Sequence, residues 1–466
     1  MKIQSALNFL AIILLLISLV SLAVVLCCFN MELNFLPFLS LFVLSMFFSS
    51  AIYFANRNIE SKFDIRSITY CIFISWPLLI VMGSIPLLLI FPDQGFFKIL
   101  FISTSLSTTT GTWLNDNLII PNEFYIWQSA LQWMGGLLTL LLASTFIEVL
   151  FDKSNTESRS FDLSKIKIIF LIYSIMTIIF VSIFYLLGLS LEDSFRLSTS
   201  SLSTSSSISS SDQSIYIAYN NKILCTMIFG MFIGSLSVML HYKAFTSGIS
   251  SYLKDKNAKL LLFLAVIIYV IISFFSDLSI YQFSYNYLIN KLFIIFSLLT
   301  TTGFVPVIDY GEQFASIMLL LTFLAFIGGA ASSTTGGIKI SRLASLFEYI
   351  SSELYHLSHP REILSKDREN KSSNLSLLFV SVILFFSSFF IFSIIFTLLG
   401  FDFKSSLLIV VSFITNTGQG ILEFNNLYFF PSSAIESIVS IFAMLVGRIE
   451  TIFIMLLFSK TFWLES

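Results

Sequence analysis

Charge is scarce in this chain, and histidine and cysteine are scarcer. Only 11% of its 466 residues are charged, against 56% that are hydrophobic, and it holds three histidines and four cysteines. So little charge excludes a water-soluble globular protein. The formal net charge of −2 leaves no basic excess for nucleic acid. Cys27, Cys28, Cys71 and Cys225 show no CxxC spacing and lie in or at the ends of apolar runs, so they read as small buried hydrophobes. His356 and His359 fall in the polar stretch ELYHLSHPREILSKDREN, which reads as a surface loop or a partner contact. With His241 they are the only histidines, and no enzyme chemistry is apparent.

What the chain has in quantity is long uncharged stretches. Residues 5–28 carry no charge, too long a run for a signal peptide and long enough to cross a bilayer. Further spans are expected at 33–55, 68–91, 124–150, 165–189, 215–241, 259–276, 314–350, 375–399 and 432–462.

A seven-residue phrase recurs between them. Residues 105–111 read SLSTTTG, 201–207 SLSTSSS, 297–303 SLLTTTG and 412–418 SFITNTG, and they align without a gap. In that register Thr108, Thr204, Thr300 and Thr415 are equivalent. One unit used four times follows: a long span, a short apolar half-helix ending in the phrase, and a second long span. The expected fold is an all-α membrane protein with four such repeats in pseudo-fourfold symmetry around one pore. Residues 1–62 form a two-helix N-terminal addition, and the repeats occupy 63–155, 156–255, 256–370 and 371–466.

Threonine hydroxyls and backbone carbonyls are hard, uncharged oxygen ligands, and four such strands could replace the water shell of a monovalent cation. The candidate potassium-binding residues are Thr109, Thr110, Gly111, Ser205, Ser206, Ser207, Thr301, Thr302, Gly303, Asn416, Thr417 and Gly418. Residues 198–211, STSSLSTSSSISSS, would read alone as a flexible linker. Their register with the other copies makes them the second filter strand, with Ser206 and Ser207 where glycine is expected. Half-helices such as 96–106 and 404–414 are too short to span and must dip in and return. Asp93, Asp193 and Asp402 near their starts read as helix N-caps. Most of the basic residues fall opposite the phrases, whose side holds only Lys98, Arg196, Lys222, Lys291 and Lys404, so the phrases open outward.

Two features interrupt the apolar pattern on the inner side. GGAASSTTGGIK at 328–339 cannot form a stable lipid-facing helix, because its glycines weaken it and its hydroxyls compete for backbone bonds. It is expected to open into a loop, the alternative being a close helix-packing face. Arg448 is a lone guanidinium in AMLVGRIETIFIML and should face the interior. Pairing with Glu450 is an alternative that their spacing weakens. Gly328, Gly329, Ser332, Ser333, Thr334, Thr335, Gly336, Gly337 and Arg448 are the candidate gate.

These residues resemble the Trk/Ktr/HKT superfamily of potassium transporters, and specifically its TrkH type. LQWMGG at 131–136, TTTGF at 300–304, TNTGQG at 415–420, GGAASSTTGGIK and GRIE at 447–450 carry the likeness, which covers nearly the whole chain. The resemblance implies a homodimer with one pore per subunit, a cytosolic TrkA-type nucleotide-binding regulatory subunit, and a bacterial inner membrane with lipid around it. It implies potassium as the transported ion and no other cofactor. Gly111, Gly303 and Gly418 would be filter glycines, 328–337 the gating loop and Arg448 its arginine. The second repeat departs from the family, which has a glycine pair where this chain has Ser206 and Ser207; serine at one filter glycine accompanies sodium permeation in some plant relatives. A sodium-permeable pathway is therefore one alternative, and a non-conducting scaffold or sensor of the same fold is another.

Overall fold

The computed structural model describes residues 2–57, 65–112, 120–151, 163–206, 220–275, 285–304, 318–359, 367–425 and 427–449. Among them every regular element is a helix. The N-terminal hairpin is α1 (Lys2–Asn30) and α2 (Leu36–Ala55), joined where Ser49 donates to the Ala11 carbonyl at 2.8 Å. Next come α3 (Ile65–Ile90), the short α4 (Phe96–Ser107) and α5 (Asn122–Phe151). The order repeats with α6 (Leu163–Leu186), the short α7 (Leu191–Ser203), and the pair α8 (Asn221–Gly234) and α9 (Val238–Ser247). A linking turn α10 (Ser250–Lys254) leads to α11 (Lys256–Phe275), α12 (Tyr285–Leu299), α13 (Met318–Ile327) and α14 (Ile340–Ser358). The last group is α15 (Asp367–Leu398), α16 (Phe403–Ile414), α17 (Gln419–Phe424) and α18 (Ala434–Arg448).

Seven of these helices are long and apolar enough to cross a membrane, and their outward faces carry exposed Leu186, Phe274 and Leu398. In water such faces would be unstable; in hydrocarbon they need no partner. The chain is a multi-pass membrane protein. One expected span is corrected: 215–241 is not one straight helix, because α8 and α9 meet at 100° around Ser235–Ser237. Nor are all four cysteines buried, since Cys27 and Cys225 are exposed.

The short helices sit inside. In α4 and α16 nearly every side chain beyond the first turn is buried, and Phe101 ties the two at 6.1 Å between its ring and that of Phe413. Phe396, Phe401 and Phe429 complete an aromatic cluster behind α16 whose pairs are edge-to-face except the tilted Phe401–Phe429, the edge-to-face geometry being worth about 0.5–1.5 kcal/mol per pair beyond burial. From outside, α3 receives hydrogen bonds from the Trp127 indole to Gly83 O (3.0 Å) and from Ser103 to Ile80 O (2.7 Å).

The serine-rich 198–203 is the end of α7, not a linker. Its hydroxyls turn back onto its own carbonyls, Ser198 to Phe195, Thr199 and Ser200 to Arg196, and Ser201 to Ser198. A polar helix thereby becomes one that can be buried. Only one of the three aspartates is an N-cap. Asp402 accepts from Ser405 N, whereas Ser190 caps α7 with Asp193 bonded back to it, and Gly95 begins α4 without a side-chain cap. Asp193 instead pairs with Arg196 at 2.6 Å, both buried, the arrangement by which a charge is tolerated in an interior.

Candidate permeation site

Each short helix ends in the repeated phrase, and the first, third and fourth endings are built alike. Thr109, Thr301 and Asn416 take left-handed backbone at φ 56°, 57° and 54°, and Gly111, Gly303 and Gly418 do so at 71°, 74° and 65°. Between them Thr110, Thr302 and Thr417 donate their amides to Ser105 O, Ser297 O and Ser412 O. Within each strand two threonine hydroxyls meet, Thr108 with Thr110 at 2.8 Å, Thr300 with Thr302 at 2.8 Å, and Thr415 with Thr417 at 2.6 Å.

The second ending is one residue out of step. Its left-handed residue is Thr204, at φ 51°, and Ser205 N donates to Ser200 O as Thr110 N does to Ser105 O. Thr204 therefore matches Thr109 in the backbone, not Thr108 as the ungapped alignment has it. The turn has the same length but starts one residue earlier in the phrase, and Ser206 falls where the other strands have glycine. Ser206 does not have positive φ, as expected for a residue with a β-carbon. Ser207 lies outside the described residues.

The strands meet one another. A β-carbon on Gly303 would lie 1.8 Å from Thr417 O and one on Gly418 1.8 Å from Thr110 O; one on Gly111 would lie 2.4 Å from Ser206 O. Asn416 adds a bridge, donating to Thr110 Oγ1 at 2.9 Å and to Met444 O at 3.1 Å. The third strand against the fourth, the fourth against the first, and the first against the second are thus in direct contact, and Thr109, Thr110, Thr301, Thr302, Asn416 and Thr417 are fully buried.

Residues 328–339 form the loop expected between α13 and α14, not a helical packing face. Its polar groups have partners. Ile338 N and Lys339 N reach Phe326 O and Ile327 O, Gly329 N reaches Thr335 Oγ1, and Gly336 N reaches Thr301 Oγ1 at 2.7 Å under the third strand. The bend between α8 and α9 receives the loop. Ala330 N donates to Ser235 O (2.8 Å), Val238 N to Ser332 O (3.1 Å), and Thr334 N to Gly234 O (3.3 Å). The bend exposes backbone groups and the loop satisfies them, as buried peptide groups require.

Thr334 is the junction. Its hydroxyl lies 2.8 Å from Leu202 O and 2.9 Å from Gly234 O, and its carbonyl accepts from Arg448 Nη1 at 2.6 Å. Arg448 Nε donates to Thr108 O at 2.5 Å. The guanidinium, buried at 8% exposure, thus joins the base of the first strand to the loop. Glu450 lies outside the described residues. A cavity of about 60 Å³ opens beside the loop, with Lys339, Arg342 and Arg448 in its wall. Replacing Thr334 by valine keeps the shape and removes the hydroxyl, so at about 1 kcal/mol per hydrogen bond the loop should detach more easily. The expected result is a several-fold rise in resting cation flux; an unchanged flux with unchanged protein level would show that the bonds do not hold the loop shut.

Sequence reasoning missed the bend at Ser235–Ser237 and Gln132. The bend carries no proline and only Gly234 beside it. Gln132 had a signal: an amide well inside a predominantly apolar span, where a polar side chain is expensive unless it has a task.

The chain matches the family described as TrkH, cation transport protein, over residues 36–464. It is 28% identical over 453 residues to an uncharacterized cation transporter of Methanocaldococcus jannaschii, covering 94% of this chain and 92% of that one. It is 27% identical over 452 residues to the Trk system potassium uptake protein TrkH of Vibrio parahaemolyticus, covering 92% of each. The crystal structure of the potassium transporter TrkH from Vibrio parahaemolyticus superposes with a TM-score of 0.86 at 26% identity, over 99% of this chain and 100% of that one.

Proposed function

Because the chain belongs to the TrkH family of cation transport proteins, we propose that it takes up potassium through the four phrase strands and is gated by residues 328–337 with Arg448. The contacts between successive strands carry this reading. Carbonyls and hydroxyls on adjoining strands converge, and such a ring can exchange for a cation's hydration shell. The short helices α4, α7, α12 and α16 aim their C-terminal ends at the strands, which places partial negative charge where a cation dehydrates.

The inner side does the opposite. Arg448 beneath the first strand, with Lys339 and Arg342 along the same cavity, opposes a cation leaving the filter. Opening then means withdrawing the loop from the α8–α9 bend and the arginine from Thr108. A homodimer, a cytosolic TrkA-type nucleotide-binding regulatory subunit and a bacterial inner membrane belong to the same reading, and a regulator that pulls on α14 would act directly on the loop. Lower potassium preference is the second reading, favoured by Ser206, whose hydroxyl donates to Gly111 O at 2.8 Å.

The chain should restore growth at low external potassium to a bacterium without its own uptake systems, and in reconstituted membranes it should carry potassium in preference to sodium. Failure of both would remove the transport reading and leave a scaffold of the same fold. Equal permeation of the two ions would establish the second reading.

A further inference from the structure

Strands one, three and four each carry a hydroxyl pair, strands one and three add a second tie, and strand two lacks the pair. The first device is the hydroxyl pair within the strand. Counted from the left-handed residue, the matching pair in strand two is Ser203 and Ser205. Yet the Ser203 hydroxyl is buried without a partner, and Ser205 Oγ lies 3.3 Å from the neighbouring Ser206 O. The second device is a clamp from the start of the phrase to the strand's exit. Ser105 Oγ accepts from Thr112 N at 2.6 Å, and Ser297 Oγ donates to Phe304 O at 2.7 Å. In strand two the residue matching Ser105 is Ser200, whose hydroxyl donates to Arg196 O at 2.7 Å, and its exit counterpart Ser207 lies outside the described residues; in strand four Ser412 Oγ donates to Ile409 O instead.

Gln132 reaches strand two from another repeat. It stands on α5, fully buried, with Oε1 3.4 Å from the Ser200 hydroxyl and Nε2 donating to Ser206 O at 2.6 Å. The amide is a spacer that reaches from the start of the phrase to the strand's exit. Ser206 in turn donates its hydroxyl to Gly111 O on strand one. Two backbone carbonyls on adjoining strands thus have hydrogen-bond donors on them. An oxygen that accepts such a bond offers less field to a passing ion, and field strength and ligand number are what separate potassium from sodium.

On the potassium-uptake reading, we propose that Gln132 is a specificity-determining positioning residue: held between Ser200 and the Ser206 carbonyl, it sets the geometry of the second filter strand from the first repeat. It touches no ion and acts through Ser206. Without its donor, the Ser206 carbonyl loses its hydrogen bond and Ser206 is held to its neighbour through its hydroxyl alone.

Reversal potentials under potassium and sodium gradients test this, since a permeability ratio does not depend on how much protein is present and a purely structural role would not move it. Gln132→Met keeps length and removes the donor; the potassium-to-sodium ratio should fall about five- to tenfold, the scale of one buried hydrogen bond. Ser200→Ala removes the amide's other anchor and leaves its bond to Ser206 O, so the ratio should fall in the same direction, by about threefold on the same scale. Conducting Gln132→Met protein with the wild-type ratio overturns the proposal. Should that variant fail to reach the membrane, an unchanged ratio in Ser200→Ala overturns it instead. A wild type without cation flux would take down the transport reading and this inference together, whereas a conducting wild type with two unaltered variants takes down this inference alone.

Discussion

Potassium flux through the Arg448→Ala variant should exceed that of the wild type by about 30-fold. A unit charge about 8 Å from a passing ion, at an effective dielectric near 20, repels it by ~2 kcal/mol, and that barrier height corresponds to the stated factor in rate. Geometry adds to electrostatics. The guanidinium makes two bonds at once, to Thr108 O and Thr334 O, and charge-assisted bonds contribute about 1.5–3 kcal/mol each. Alanine removes both and unties the loop from the base of the first strand. Arg448→Lys separates the contributions, because an ammonium keeps the charge and lacks the planar fork that spans two acceptors. Its flux should lie between the other two. Isotope uptake into proteoliposomes at matched protein content measures all three, and wild-type flux in the alanine variant would reduce Arg448 to a structural tie.

The opposite outcome is expected at the glycines that end the repeated phrase. Gly418→Ala should abolish transport, to at least about a hundredfold below wild type, for two reasons that compound. Its backbone, at φ 65° and ψ −140°, lies in a region that essentially only glycine occupies, at about 1–3 kcal/mol for another residue. The added carbon would also sit 1.8 Å from Thr110 O on the neighbouring strand, well inside van der Waals contact. Relief requires moving strand four away from strand one, which breaks the contact between them. Gly303→Ala should do the same through Thr417 O. Gly95→Ala is the control, since a β-carbon there meets nothing within 4 Å and φ is −61°. Its flux should stay within about twofold of wild type, the size of a few tenths of a kcal/mol. Near-normal uptake by Gly418→Ala would mean that the ion does not pass between these strands.

The parts of this arrangement differ in how far they could be read from residue order. The short helices 96–106 and 404–414 are legible because an apolar run too short to span, ending in threonine and glycine, has few other places to go in a membrane. The break at 328–339 is legible for a similar reason, since glycines and hydroxyls act on their own turn of helix. The bend at Ser235–Ser237 is not legible, because what stabilises it comes from Ala330 and Ser332, far along the chain. The second phrase misleads. Its serines align perfectly with the other copies, yet the left-handed residue is Thr204, and serine and threonine differ too little in backbone preference to mark the slip. Asp93 and Asp193 look like caps by position, but Gly95 and Ser190 take those places.

Residue order alone determined that this is a multi-pass helical membrane protein with a recurring helix-and-strand unit, because hydrophobic length, glycine and charge act within a few turns of the chain. The tertiary structure decided which atoms meet. Arg448 and Thr108 are 340 residues apart, and so long a separation closes only when packing brings four helix ends together. Gln132 finds strand two, and the loop finds the bend, because buried backbone groups must have partners and only the folded chain supplies them.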